Sequence, residues 1–274
     1  MHHRPLGTTG LLVSTLGLGT VKLGRTEGVK YPTPYDLPTD DEARALLALA
    51  ADLGINLIDT APAYGTSETR LGTLLPEFAG RFLLSTKVGE AFENGVSRFD
   101  FSPEHTRASI ERSLQRLGRD ALDIALVHAD GNDLDIIQSQ GTLDALADLR
   151  QSGKVRAIGF SPKTVAGARA ALPVCDVLML ALNPRETEML PVVREAHAAG
   201  VGVLVKKGLL SGHLDVLGKP KHDTDPPAAP PVDPVEACLG YLLAEPGVSS
   251  VIAGTINPEH LRQNAGAVAR MLAR

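Results

Sequence analysis

Asp59, Tyr64, Lys87 and His128 are residue types that can between them hold and move a proton. Three of them finish short apolar runs, as Ile58-Asp59, Thr86-Lys87 and Val127-His128, and the tyrosine follows the acid in the small-residue loop Thr60-Ala61-Pro62-Ala63-Tyr64-Gly65. A free phenol, with a pKa of about 10, is a poor acid at neutral pH, but a nearby ammonium stabilises its phenolate and lowers that value. Lys87 is placed to supply the cation, Asp59 to pair with the lysine and keep it charged, and His128 to hydrogen-bond a substrate oxygen beside the phenol. The chemistry this predicts is protonation of a carbonyl oxygen by Tyr64, its pKa brought down by Lys87, with neither a metal nor a covalent intermediate required. Taken singly, an acid after a strand caps the next turn, a rim lysine is solvated and a histidine packs in a core. All of them at matching ends of successive strands favour chemistry.

Those strand ends must be brought together by the fold. Val-, Ile- and Leu-rich runs at 12–19, 55–59, 81–86, 122–128, 155–160, 177–182, 202–206 and 248–253 read as strands. Helical patterns occupy 40–53, 103–117, 134–151, 188–199, 234–243 and 258–272. Ser102-Pro103-Glu104 and Asn257-Pro258-Glu259 each place a cap residue before proline and an acid in the first turn, and Gly54, Gly118, Gly153 and Gly200 stand where helices end. Eight units in 274 residues average about 34 residues each, the size of a single (β/α)8 barrel running through the whole chain, 1–274. In such a barrel neighbouring strands lie about 4.8 Å apart and their C-terminal ends form the active-site mouth. Residues 3–11 are expected to form a short hairpin plugging the opposite end. The proline-rich stretches Gly24 to Pro38 and Lys219 to Pro234 read as loop insertions. Mouth loops at 24–38, 92–101 and 213–232 are expected to border the substrate.

Composition narrows the function. Lys and Arg number 27 against 32 Asp and Glu, a net charge of −5 with no basic block, which argues against nucleic acid or an anionic membrane as a partner. No window reaches the roughly 18 uninterrupted apolar residues of a membrane helix. Met1-His2-His3-Arg4-Pro5 lacks the apolar segment of a secretory signal, and two cysteines, Cys175 and Cys238, are too few for a disulfide framework. A cytoplasmic protein acting on a small molecule is expected. With 6 Phe, 4 Tyr and no Trp, an aromatic-lined sugar cleft or a base-stacking platform is hard to assemble. The histidines show no metal-ligand spacing.

Around the proton-handling residues the sequence resembles the aldo-keto reductase family. The resemblance is carried by Asp59-Thr60-Ala61-Pro62-Ala63-Tyr64-Gly65, Ser67-Glu68-Thr69-Arg70-Leu71-Gly72, Thr86-Lys87 and Ser109-Ile110-Glu111-Arg112-Ser113-Leu114. It runs from Leu16-Gly17-Leu18-Gly19-Thr20 to Val251-Ile252-Ala253-Gly254-Thr255. It implies a barrel that binds NADPH or NADH in extended form at its C-terminal mouth. It also implies a tetrad of Asp59, Tyr64, Lys87 and His128, with Tyr64 as the general acid. Gly17-Leu18-Gly19 is not a Rossmann fingerprint, because Lys22 holds the third glycine position.

The resemblance further implies where the cofactor lies. Thr20, Val21 and Lys22 follow strand one, with Lys22 available to the pyrophosphate. Ser161 after strand five holds the nicotinamide carboxamide, and Pro162 stands where the family has a second polar residue. On strand six the family's Gln and ring-stacking Tyr align with Met179 and Leu182, so Leu182 is expected as an apolar wall against the ring. Lys206 and Lys207, with Gly208 and Leu209, form a phosphate clamp after strand seven. Gly254 and Thr255 lead into a helix start that cradles a phosphate. His260, or Arg262 on the same turn, takes the 2′-phosphate, and Gln263-Asn264 the adenine. The expected function is NADP-dependent hydride transfer to an aldehyde or ketone, or from the corresponding alcohol or sugar, with NADH as the alternative cofactor. The departures at Met179 and Leu182 keep open a nicotinamide-binding, redox-sensing barrel with little turnover. A Schiff-base aldolase using Lys87 is a third reading.

Overall fold

The computed structural model describes residues 1–78, 80–219 and 233–272. Two antiparallel hairpins stand outside the main sheet: β1 (His3–Pro5) with β2 (Leu12–Ser14), and β6 (Glu90–Glu93) with β7 (Val96–Phe99). Eight parallel strands close a barrel in chain order: β3 (Leu16–Gly19), β4 (Leu57–Asp59), β5 (Leu83–Val88), β8 (Leu122–His128), β9 (Val155–Ser161), β10 (Val177–Ala181), β11 (Gly202–Lys206) and β12 (Val248–Gly254), the last pairing with β3. The helices are α1 (Asp40–Asp52), α2 (Ser67–Leu74), α3 (Pro103–Leu117), α4 (Asp133–Ser139), α5 (Thr142–Gln151), α6 (Val165–Ala171), α7 (Leu190–Ala198), α8 (Pro234–Leu243) and α9 (Pro258–Leu272). Among the described residues no helix is long and apolar enough to cross a membrane.

The sequence-predicted (β/α)8 barrel is therefore the observed fold, with local differences. The run 12–19 breaks at Thr15: β2 pairs with β1, while β3 joins the barrel. Strand three runs two residues further than its apolar run suggests, so Lys87 lies inside β5 rather than after it. The helical pattern 134–151 is interrupted at Gly141, whose φ of 76° ends one helix and begins another. Helices α2 and α6 are too short, at 8 and 7 residues, to show a full amphipathic repeat. The segment 92–101, expected as a loop, contains most of the second hairpin. Residues 220–232 of the expected proline-rich insertion fall outside the described residues.

Strand alternation sorts the core into two layers. Leu57, Leu126, Met179 and Leu204 point into the barrel, where Leu6, Leu11 and Val13 of the N-terminal segment fill the bottom. Ile58, Leu84, Val127, Ile158, Leu180 and Val203 point outward against the helices. Asn56 ties the hairpin to the sheet: its Oδ1 accepts from the Ser14 amide (2.7 Å) and its Nδ2 donates to the Leu12 carbonyl (2.9 Å). One step beyond the apolar inner layer, the inward positions are Asp59, Lys87, His128, Ser161 and Lys206. The same period of two that builds the core thus aims a polar ring into the mouth.

Candidate active site

Lys87 is the largest fully buried side chain, 1% exposed, and Asp59 beside it is 2% exposed. The Lys87 ammonium donates to both carboxylate oxygens of Asp59 (2.8 and 2.7 Å) and to the Thr60 carbonyl (2.9 Å), and it lies 3.1 Å from the Tyr64 hydroxyl. The Ser85 hydroxyl donates to Asp59 Oδ1 (3.0 Å). Burial works to strip Lys87 of its proton, but Asp59, with Tyr64, outweighs it and holds the lysine above its ordinary value. For Tyr64 burial is the largest influence and pushes the phenol up; Lys87 pulls it down and Asp59 pushes it up again. The net direction is upward, which corrects the sequence expectation of a lowered value. Asp59 sits on Lys87 and cancels much of the charge that would stabilise a phenolate, so Tyr64 keeps its proton at neutral pH.

Tyr64 ends a 3-10 turn, Pro62–Tyr64, that is locked against the loop following β3. The Arg25 guanidinium donates to the Ala63 carbonyl (2.9 Å) and the Thr66 amide to the Gly24 carbonyl (3.2 Å). At Gly65 φ is 61°, and a Cβ there would stand 2.1 Å from the Gly24 oxygen, so only glycine permits this approach. Behind the turn lie buried hydroxyls: Thr60 donates to Ser67 Oγ (3.1 Å), and Thr20 donates to the Asp59 carbonyl (2.9 Å).

His128 Nδ1 lies 2.7 Å from Glu90 Oε2, at ion-pair distance but without an aligned hydrogen bond. Burial lowers the pKa of the imidazole, Glu90 opposes this, and Lys87 and Lys206 add to the lowering. A neutral ring with its proton on Nδ1, facing the carboxylate, leaves Nε2 as an acceptor for a hydroxyl. Burial pushes Glu90 up, yet His128 and the Ser97 hydroxyl (2.6 Å) outweigh it and bring this carboxyl down to about 2. Glu90 was not among the sequence candidates; its only signal is an acid placed just after Gly89, past the end of β5.

Beside this cluster is a cavity of about 390 Å³, within the usual range for a ligand pocket. Lys22, Lys207, Gly208, Leu209, Gly254, Thr255, His260, Gln263 and Asn264 line it, together with Tyr31, Pro32 and Thr33 of the loop after β3. Lys22, Lys207 and His260 are basic, and no carboxylate lines the cavity among the described residues. The Lys22 ammonium sits 3.9 Å from the centroid of Tyr31. A Cβ at Gly254 would come within 3.0 Å of the Tyr31 hydroxyl, so floor and roof meet where a glycine leaves room. Arg70 ties down the roof loop, donating to the carbonyls of Leu23 (2.6 Å) and Pro38 (2.7 Å). The turn after β11 holds Lys207, Leu210 and Ser211 at φ of 58°, 53° and 53°, a concentration of left-handed backbone of the kind found at ligand clamps. The donors, the basic charge and the adjoining start of α9 fit the phosphate-bearing half of a nicotinamide dinucleotide. Tyr31 escaped the sequence reading because a proline-rich loop carries no periodic signal.

The structure does not bring Thr20, Val21, Ser161, Met179 or Lys206 to this cavity. Thr20 is fully buried in the hydroxyl cluster behind Asp59. The Val21 carbonyl accepts from the amides of Gly24 and Arg25. Met179 packs in the inner layer, and Leu182, expected against the nicotinamide ring, is fully buried in the outer layer. The reason is parity: Leu182 continues the outward series Leu178, Leu180. Arg262 lies in a different groove with Met1 and Asp52, on the far side of α9 from His260, and so cannot stand in for it. Lys206 and Lys207, expected as one clamp, separate for the same reason of alternation. Lys207 lines the cavity, while Lys206 turns inward and donates to Ser161 Oγ (2.7 Å).

Two outcomes follow for stability. Lys87→Met leaves Asp59 buried without its partner and is expected to cost about 3–5 kcal/mol, most of it recovered in Lys87→Met/Asp59→Leu. Urea unfolding of both variants checks this; equal losses would show that the unpaired carboxylate is not what destabilises the single variant. Glu90 has a depressed pKa in the folded state, so its contribution is complete above its ordinary value of 4.5 and is lost as pH falls toward about 2. Glu90→Gln is expected to flatten the acid limb of stability against pH, and an unchanged limb would contradict that assignment.

Comparison with known proteins gives the same architecture a lineage. The sequence model of the Aldo/keto reductase family matches residues 15–230. L-galactose dehydrogenase of Arabidopsis thaliana is 32% identical over 297 residues, covering 98% of this chain and 88% of that protein. The NADH-specific methylglyoxal reductase of Escherichia coli (strain K12) is 28% identical over 311 residues, covering 96% and 92%. A solved structure from Pseudomonas aeruginosa assigned to the aldo-keto reductases is 47% identical, with a TM-score of 0.86 and coverage of 98% and 95%. The holo form of an aldo-keto reductase from Bacillus halodurans is 26% identical, with a TM-score of 0.79 and coverage of 98% and 91%. The match extends over most of the sequence and the whole barrel, and the chain belongs to the aldo/keto reductase family.

Proposed function

We propose that the protein interconverts a small aldehyde or ketone and the corresponding alcohol or sugar, with a nicotinamide cofactor and with Tyr64 as general acid and base. The observation that carries this reading is the Lys87 ammonium shared between Asp59 and the Tyr64 hydroxyl at 3.1 Å. The cofactor, when bound, supplies or accepts the hydride. In reduction, Tyr64 gives its phenolic proton to the carbonyl oxygen as that oxygen gains negative charge. Lys87 stabilises the phenolate left behind, and Asp59 keeps Lys87 charged. His128, with Nε2 as an acceptor, orients a sugar through the hydroxyl neighbouring the reacting carbon. In oxidation the same phenolate takes the hydroxyl proton. A relative named for L-galactose and another for methylglyoxal support small polar carbonyls and sugars as the substrate class. Cys175 and Cys238, both buried free thiols, support a cytoplasmic address.

The basic lining of the cavity supports NADPH over NADH, because basic side chains can pair with the 2′-phosphate that NADPH carries and NADH lacks. Fluorescence titration is expected to give a Kd for NADPH lower than that for NADH by about tenfold, a gap that closes in His260→Ala. Equal affinities in the unaltered protein would overturn the preference for NADPH.

Tyr64→Phe is expected to lower turnover by about 10²–10⁴-fold while leaving the Kd for NADPH within about threefold. Undiminished turnover in that variant would remove Tyr64 from the mechanism. Tight NADPH binding by the unaltered protein without turnover across a panel of aldehydes, ketones and sugars would replace the enzyme by a redox-sensing barrel.

A further inference from the structure

Strand β11 ends in a lysine that the chemistry above does not use. Lys206 takes the inward position after Leu204, donates to Ser161 Oγ at 2.7 Å and lies 3.4 Å from the Pro162 carbonyl. Ser161 is the cross-strand partner of His128, and β8 lies beside β5, which carries Lys87. Lys206, Ser161, His128 and Lys87 therefore form one arc of the inner rim. The charged and titratable groups acting on Lys206 are Lys87 from β5, His128 from β8, Lys163 after β9, Lys207 next to it and Asp133 from α4. Asp133 is the single acid among these. Its carboxylate is already engaged by the amides of Lys163 (3.0 Å) and Thr164 (2.7 Å) and by the Thr164 hydroxyl (2.7 Å). Among the described residues no carboxylate stands at ion-pair distance from Lys206; its side-chain partner is a neutral hydroxyl.

The contrast with Lys87 decides what this amine can do. Lys87 has a carboxylate to itself and shows the mouth a nearly balanced pair. Lys206 shows it an unbalanced charge. A hydride carrier can serve a carbon beside Tyr64 and His128 only from within this rim, and its nicotinamide ring is cationic when oxidised and neutral when reduced. Building on the reading of the site as a nicotinamide-dependent oxidoreductase, we propose that Lys206 is a specificity-determining residue that disfavours the oxidised cofactor relative to the reduced one.

The sign of the pH dependence follows from the surroundings. Burial, followed by the charges of Lys87, Lys207 and Lys163, brings Lys206 down to about 7, with Asp133 opposing. The lysine is charged and discriminating below that value, and neutral and indifferent above it.

The test measures binding rather than turnover. Dissociation constants for NADP⁺ and NADPH are determined separately at pH of about 6 and about 8.5, by fluorescence and calorimetry, for the unaltered protein, Lys206→Met and Lys206→Arg. The ratio Kd(NADP⁺)/Kd(NADPH) in the unaltered protein is expected to fall on the order of tenfold between the two pH values. In Lys206→Met it is expected to be low at both, and in Lys206→Arg high at both, since a guanidinium stays charged throughout. Titration of the 2′-phosphate is common to both cofactor forms and cancels in the ratio. A ratio unchanged in Lys206→Met, or still pH-dependent in Lys206→Arg, overturns the role of Lys206. Failure of the unaltered protein to bind either form overturns the nicotinamide reading beneath it, so the two failures are distinguishable.

Discussion

A lysine ammonium buried in the mouth of the barrel is the constraint that the surrounding structure answers. Removing such a charge from water costs several kcal/mol even after local relaxation, on the order of what a whole domain has to spare. Lys87 remains charged because Asp59 meets it with both carboxylate oxygens and the Thr60 carbonyl accepts a further bond. This requires register between strands. Asp59 pairs with Ser85 across β4 and β5, which places Lys87 two residues beyond, at the next inward position of β5. A slip of one residue would turn the lysine outward into the helical layer. Barrel closure, which fixes every strand against two neighbours, protects the site from that slip.

The balance within the pair also sets the character of Tyr64. An ammonium alone would favour phenolate and leave a tyrosine without the proton that carbonyl reduction needs. With Asp59 neutralising Lys87, burial prevails and the phenol stays protonated. In the proposed reduction an alkoxide forming at the substrate is a far stronger base than a phenolate, so the reaction itself would create the base that draws the proton off. Lys206 shows the same physics with one element removed. It shares the inner rim, half-buried, but has no carboxylate, and its pKa moves down where that of Lys87 moves up.

Much of this was legible in the sequence, for a physical reason. A parallel sheet covered on both sides writes each strand as a continuous apolar run, and Asp59, Lys87 and His128 lie on or next to the ends of such runs. What was not legible came from chain reversals and loops. Glu90 reaches His128 because the chain turns at Gly89, whose φ is 98°, into a hairpin that no apolar repeat announced. Tyr31 roofs the cavity from a proline-rich loop whose path is set by Arg70 and Arg25. Leu182 and Lys206 are a different case. Alternation along β10 and β11 already assigns the leucine to the outer layer and the lysine to the mouth. A reading by resemblance alone put the leucine at the ring and the lysine at the phosphates.

Basic residues consequently occur at two places, the cavity and the inner rim, and have different effects at each. Lys22, Lys207 and His260 line the cavity suited to the phosphates, and those phosphates are the same whether the ring is oxidised or reduced. Attraction there strengthens binding of both forms equally and leaves the balance between them untouched. A charge near the ring differs, because the ring is where the two forms differ. On the proposed role of Lys206, an inward lysine without a carboxylate partner thus gives the mouth a preference that no rearrangement of the phosphate end can supply.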